Sequence, residues 1–329
     1  PDMNDRLASM LVWDNHACMP LKPNDTTFLP QLKRHRDAGA DVVIVNVGYG
    51  DDGVEQHLRM LASMRGWLEA NSREYRLIES VDDIEAARAA GQLAVGFDIE
   101  GANAIGDQLS LLALYRDLGV RWMLLAYNRN NLAGGGCQDD DPGLTPFGRQ
   151  MLREMARVGI VACCSHTGYR TAREAIDESP TPVIFSHSNA RALTDHPRNI
   201  PDDLIRACAA RGGVVGVNGI GIFLGDNDSS VDNVARHVLH MLDLVGSEHV
   251  GIGLDYIFDS SELDAEIAAN PDKFPPHLGY SAGIAMTPPE QLPALAEALS
   301  RRGVDDEAIA RIFGGNWLRV AREVWRPRA

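Results

Sequence analysis

The chain has 329 residues, a formal net charge of −15 and 45% hydrophobic residues, enough apolar material to bury a large core. The acidic balance and the absence of any Lys/Arg run argue against a nucleic-acid binder. No stretch of about 18 uninterrupted apolar residues is present, so no membrane span is expected.

In chain order, short runs rich in Val and Ile alternate with segments of helical spacing. The predicted strands Leu11–His16 and Asp41–Val47 come first. A helix at Asp82–Ala90 follows the cap-like Ser80-Val81, then a strand at Leu93–Glu100. A helix over Ser110–Gly119 stops on glycine and leads to a strand at Arg121–Tyr127. The helix Thr145–Gly159 precedes the strand Ile160–His166. The helix Thr171–Ser179 precedes Pro182–His187. The helix Pro201–Gly212 opens on proline and acidic residues, which suit a helix N-terminus, and the strand Gly213–Asn218 follows. Asp232–Val245, the strand Val250–Asp255 and the helix Leu292–Gly303 complete the series. The strands are apolar on both faces, as in a parallel sheet buried between helices. Eight such units predict a single α/β domain over residues 1–329, a closed (β/α)8 barrel, with an open doubly wound sheet as the alternative.

Two stretches break the rhythm. Gly134-Gly135-Gly136 with Asp139-Asp140-Asp141-Pro142 reads as a loop, either a plain connection or an active-site lid. Phe258 to Met286 is rich in Pro, Asp and Ser and reads as a long excursion, again lid or surface loop. Trp325 to Ala329 reads as a solvated tail. The five cysteines, Cys18, Cys137, Cys163, Cys164 and Cys208, are odd in number and irregularly spaced. That is no disulfide framework, and with a polar N-terminus lacking a signal-peptide pattern it suggests the cytoplasm.

The residues at the ends of the runs carry the chemistry. The first run ends Asp14-Asn15-His16-Ala17-Cys18 and the third Asp98-Ile99-Glu100-Gly101. The fifth ends Ser165-His166, the sixth Ser186-His187-Ser188 and the eighth Leu254-Asp255. In a parallel barrel these ends share one rim, where catalytic loops sit. Imidazole, carboxylate and thiolate are the donors that a borderline cation such as Zn²⁺ selects. Such a cation makes a bound water acidic near neutral pH, and Glu100, flanked by histidines, is the natural bridge if two are held.

These residues resemble the membrane (renal) dipeptidase family of the amidohydrolase superfamily, in a divergent bacterial-type form. The likeness runs from Asp14 to Gly314-Gly315-Asn316-Trp317. It includes Ile99-Glu100-Gly101, Ser165-His166, Phe185-Ser186-His187-Ser188, Arg198-Asn199-Ile200-Pro201-Asp202-Asp203 and Gly251-Ile252-Gly253-Leu254-Asp255. The resemblance implies a (β/α)8 barrel holding one or two Zn²⁺ that cleaves a small substrate, a dipeptide or N-acyl amino acid, through a metal-bound hydroxide. By analogy a homodimer is the expected assembly. It implies that His16 binds the first metal, Glu100 bridges, and His166 and His187 bind the second. Arg198 would hold the substrate carboxylate, as a guanidinium fork is shaped to do, and Asp255 would carry the proton to the leaving amine.

The chain departs from the family pattern at three places. Cys18 stands where an aspartate ligand is usual; it either ligates as a thiolate or fills space and leaves one metal. Tyr127 stands where a substrate-contacting histidine is usual, and its hydroxyl can donate to a developing oxyanion. Near Ile220 a carboxylate-binding tyrosine is missing. Two other readings therefore stay open: hydrolysis of another small amide or a lactone, and a catalytically silent metal- or ligand-binding barrel. A dinucleotide-binding fold has little support, since no G-x-G-x-x-G follows the first strand.

Overall fold

A computed structural model describes residues 1–325. Its elements are α1 (Met3–Ala8), β1 (Trp13–Cys18), α2 (Lys33–Asp37), β2 (Val42–Tyr49), α3 (Val54–Ala70), β3 (Tyr75–Leu77), α4 (Val81–Ala89), β4 (Leu93–Glu100), α5 (Leu111–Leu118), β5 (Val120–Leu124), α6 (Pro146–Val158), β6 (Val161–Cys163) and α7 (Tyr169–Glu178). They continue with α8 (Asp202–Ala210), β7 (Val215–Val217), α9 (Gly221–Leu224), α10 (Val231–Val245), β8 (Val250–Ile252), β9 (Tyr256–Ile257), α11 (Ser260–Ala269), α12 (Leu292–Arg301), α13 (Asp306–Ala310) and α14 (Asn316–Val324).

All strand ladders are parallel. One sheet runs β6-β5-β4-β2-β1-β9, with β3 paired to the first residues of β4, and β7 pairs with β8. The two sheets are joined through the segment after α7. Ile184 bridges to Cys163 and Phe185 to Val215. On the other side the Gly253 N–H donates to Val217 O, and the Asp255 N–H to His16 O. Backbone hydrogen bonds thus pass round the eight expected positions, and the fold is a (β/α)8 barrel. The predicted strand Pro182–His187 is corrected to these single bridges. Proline has no N–H to give a ladder, and Ser186 N–H turns instead to the Cys163 Sγ.

The strands alternate faces with period two. Val43, Val45, Val95, Phe97 and Ile99 pack outward in the large cluster beneath the helices. Trp13, Val42, Ile44, Ala94, Trp122, Leu124, Val161 and Cys163 form a second cluster, plugged by Trp317, Val320, Val324 and Trp325. Along one inward row this lining changes from apolar to polar: Ala94 and Gly96 lead to Asp98 and Glu100, as Val42 and Ile44 lead to Asn46. The polar end of the lining is the C-terminal rim.

The C-terminal Gly-Gly-Asn-Trp motif has a packing function. The Trp317 Nε1–H donates to Ile252 O at 3.1 Å, and Asn316 Nδ2 donates to Ser247 O and Val250 O, so α14 is fastened to β8. Gly314 lies so close to β1 that a Cβ would sit 2.2 Å from Leu11 O. Trp325 is 5% exposed and packs 5.7 Å from Trp13, so the expectation of a solvated tail is corrected at Trp325; residues 326–329 lie outside the described part.

Three further expectations are revised. α3 and β3 were not anticipated. Met60, Leu61, Met64 and Leu68 of α3 are buried on one face, but the polar residues between them dilute the pattern. Phe258–Met286 contains α11, and its Phe274 and Tyr280 join Ile220 and Phe223 in a third apolar cluster, so it is a packed cover and not a free loop. The Gly134–Pro142 segment is tied down as well: Asp141 accepts from the Thr171 N–H at 2.8 Å, and Gly136 bridges to Thr167.

Two outcomes follow for stability. Gly314→Ala should cost about 2–4 kcal/mol in urea unfolding, because backbone must move to admit the methyl. His237 on α10 accepts from the Ala190 N–H and donates to Leu224 O. Burial holds its pKa down at about 4. Protonation therefore favours the unfolded chain, and its contribution is complete above the unfolded value of about 6.5 and lost as pH falls from there towards 4. The imidazole signals of His237 should show no titration by NMR between pH 7 and 5.

Candidate metal centre and cleft

The expected rim residues converge. His16 lies on β1 two residues before its end, Glu100 ends β4, His166 and His187 follow β6 and the segment beside it, and Asp255 follows β8. The His16 Nε2 lies 3.4 Å from Glu100 Oε1, 3.3 Å from Asp255 Oδ1 and 3.4 Å from Cys18 Sγ. The Glu100 Oε2 lies 3.2 Å from His166 Nε2 and 3.4 Å from His187 Nε2, and those two nitrogens are 3.1 Å apart. The rings of His16 and His187 stack at 3.9 Å.

Each imidazole is aimed by a partner on its far nitrogen. His16 Nδ1–H donates to Asp98 Oδ2 at 2.8 Å, and His166 Nδ1–H to Asn128 Oδ1 at 2.8 Å. His187 Nδ1 is 2.7 Å from Ser186 Oγ. In the tautomer with all three outer nitrogens protonated, the Nε2 lone pairs face one another and the carboxylate. Asn46 Nδ2 donates to both Asp98 Oδ1 and Glu100 Oε1, at 2.8 and 3.0 Å, locking the two carboxylates of β4 together. The serines of the two histidine motifs also hold backbone: Ser165 Oγ accepts from the His187 N–H at 3.1 Å and pairs with Ser188 Oγ at 2.8 Å.

Three of these residues sit in the left-handed region: Asn128 at φ +58°, His166 at +62° and Asp255 at +60°. Such conformations cost about 1–3 kcal/mol each and persist where surrounding structure dictates them. Here they turn the side chain after a strand back over the barrel mouth.

The electrostatics call for a cation. Burial drives His166 down to about 3, with Arg198 adding to the effect, and His187 down to about 4, with His16 adding. Both are neutral, so three acceptor atoms meet without a proton, and Glu100 Oε2 is buried without a hydrogen-bond donor. Burial also lowers His16, but Asp98, Cys18, Glu100 and Asp255 together outweigh it and hold it well above the ordinary imidazole range. The pocket is short of positive charge. His16, Cys18 and Asp255 form one group of converging donor atoms, and His16, Glu100 and His187 another. The residues fit a divalent cation bound by N, O and S donors. Cys18, lifted by burial, is a neutral thiol in the protein alone.

A cavity of about 150 Å³, open to solvent, leads to this cluster. Tyr127 lines it and stacks on His166 at 4.0 Å. Burial and then Glu100 push its hydroxyl well above its ordinary value, so it stays protonated. Ile220 also lines the cavity. Arg198 does not. Its Nη2 donates to His187 O at 2.8 Å, its guanidinium lies 5.2 Å from the centre of the cavity-lining Phe223 ring, and its Nε and Nη1 are buried without partners. His196, beside it, donates through Nε2 to Leu278 O at 2.9 Å and so ties the cover to this loop. Reading the strand ends alone missed Asp98, Asn46 and Ser186 as orienting groups. The signal for Asp98 was its spacing of two from Glu100, which puts both on the inner face.

The profile described as membrane dipeptidase (Peptidase family M19) matches residues 23–274. Dipeptidase tcpJ of Claviceps purpurea is 32% identical over 263 residues, which are 78% of this chain and 57% of that protein. The chain thus spans a little over half the length of that relative. An uncharacterized protein in the pqqA 5' region of Klebsiella pneumoniae is 30% identical over 287 residues, 84% of this chain and 98% of that one. The crystal structure of an amidohydrolase from Pseudomonas aeruginosa superposes with a TM-score of 0.89 over 99% of both chains, at 28% identity.

Replacing the group that aims His16 tests the arrangement. Asp98→Asn should weaken divalent-metal affinity by about 10–100-fold in competition with a chelator, with little change in folded circular dichroism.

Proposed function

The chain belongs to the membrane dipeptidase family, and on that premise we propose that it is a metal-dependent hydrolase acting, as a single domain over residues 1–329, on the amide bond of a dipeptide or an N-acyl amino acid. The observation that carries this reading is the meeting of unprotonated His166 and His187 nitrogens with a donor-less Glu100 oxygen at the floor of an open cleft. His16, Cys18, Glu100, His166 and His187 are the residues that would hold one or two Zn²⁺. When bound, such ions supply Lewis acidity and a water that ionises near neutral pH.

The chain's own groups do the rest. Glu100 faces His16 with one oxygen and the other two histidines with the second, so it is placed to be shared. Burial raises Asp255, but His187 and His16 outweigh it and keep the carboxylate ionised. It can accept a proton from the attacking water and deliver it to the leaving amine nitrogen. Tyr127, protonated and at the cleft wall, can donate to the carbonyl oxygen as charge develops there. Arg198 keeps two buried nitrogens, Nε and Nη1, without partners, and an anion is what such a guanidinium lacks. Five cysteines without a disulfide suit a reducing compartment, and the cytoplasm is the proposed location.

A second reading has a specific basis. Because Arg198 lies behind the Phe223 wall and Ile220 lines the cavity, a substrate without a free carboxylate, another small amide or a lactone, also fits.

Metal-loaded protein should carry one or two equivalents of Zn²⁺ per chain and hydrolyse members of an L-Xaa-L/D-Xaa panel. No bound metal, or full loading without turnover on any peptide, would contradict the proposal. Arg198→Ala should raise KM for dipeptides by about tenfold or more; an unchanged KM would favour the carboxylate-free substrates. Cys18→Ala should lower metal content, and Cys18→Asp should restore it.

A further inference from the structure

The cleft beyond the metal cluster is charged on one side only. Asp259, Glu262 and Glu266, from the start and inner side of α11, line it, and among the described residues no lysine or arginine does. The cations close by are engaged elsewhere. Lys273 pairs with Asp51 at 3.1 Å and Arg129 with Asp139 at 3.2 Å. Lys22 lies 3.5 Å from Glu262, but that pair is half exposed and worth little. Glu266 lies beside the Tyr49 hydroxyl, whose pKa is raised by burial and then by that carboxylate, and both residues line the cavity. Asp259 is spent on the α11 cap, accepting from the Ser261 and Glu262 N–H groups. The same cavity is lined by the apolar side chains of Leu263, Ile267, Phe274 and Ile284.

A cavity lined by both apolar side chains and carboxylates matches one kind of side chain, a long aliphatic stem with a cationic head. We infer that the cleft selects by charge, taking dipeptides in which the side chain beside α11 is basic, with Glu262 and Glu266 as its specificity determinants. This rests on the hydrolase reading above. A glutamate side chain in the same place meets two carboxylates where no lysine or arginine lines the cavity among the described residues, and is repelled.

Matched peptides test it: L-Lys-L-Ala and L-Ala-L-Lys, the same pairs with Glu, and the same pairs with norleucine as the neutral shape. In at least one position kcat/KM should fall from Lys to norleucine to Glu, with about tenfold or more between the extremes. The gap should shrink in an E262Q/E266Q variant and at about 0.5 M salt, where exposed charges are screened. Equal rates for Lys and Glu peptides in both positions, or a gap untouched by the double substitution, would overturn the inference. Calorimetric binding of the same peptides to metal-free protein separates it from the hydrolase reading. Charge-biased binding without cleavage would sink hydrolysis and keep the selection. Cleavage without any bias would do the reverse.

Discussion

The interaction on which the rest depends is the sharing of the Glu100 carboxylate among three buried imidazoles. It is unstable by itself. Unprotonated nitrogens and a carboxylate oxygen stand 3.1–3.4 Å apart at the end of a closed, apolar-lined barrel, where unpaired acceptors are expensive. The protein nonetheless builds it rigidly. Asp98, Asn128 and Ser186 fix the ring orientations, Asn46 joins the two carboxylates of β4, and His166 and Asp255 are held at left-handed φ. Strain and buried charge concentrated at one place, offset by ordinary packing elsewhere, mark a functional site.

Most of this was legible in the sequence because parallel strands in a barrel share a rim. Once eight runs are recognised, their terminal His16, Glu100, His166, His187 and Asp255 are neighbours by topology alone. What supports them was less visible. Asp98 is an inner-face residue by its spacing from Glu100, and Asn46 by its spacing from Ile44, but Asn128 lies past the end of β5, where strand spacing gives no direction. The segment 182–187 reads as a strand by composition and makes only single bridges, because its proline and its bond to Cys163 Sγ take donors out of the ladder. The packed cover over Phe258–Met286 was hidden by its Pro, Asp and Ser content, although Phe274 and Tyr280 inside it bury against Ile220 and Phe223.

Arg198 shows a further limit. Its motif identifies the residue but not the direction of its guanidinium, which is set by the His187 carbonyl and the Phe223 ring. Cys18 shows the complementary case. Its position next to His16 and Asp255 is as the strand spacing requires, yet burial leaves it a thiol unless a cation is present to hold it as thiolate. The character of the first metal position is therefore decided by what binds there as much as by the chain. The cleft carries carboxylates at two levels: Glu100 and Asp255 stand among imidazoles, whereas Glu262 and Glu266 of α11 line the open cavity.

Anomalous diffraction at the zinc absorption edge, from crystals grown with Zn²⁺, tests the central claim most directly. The account predicts a peak bonded to Glu100 and to His166 and His187, with any second peak between His16, Cys18 and the other Glu100 oxygen. A crystal soaked in zinc that shows no anomalous density among these residues, or places it only at the surface, would contradict it.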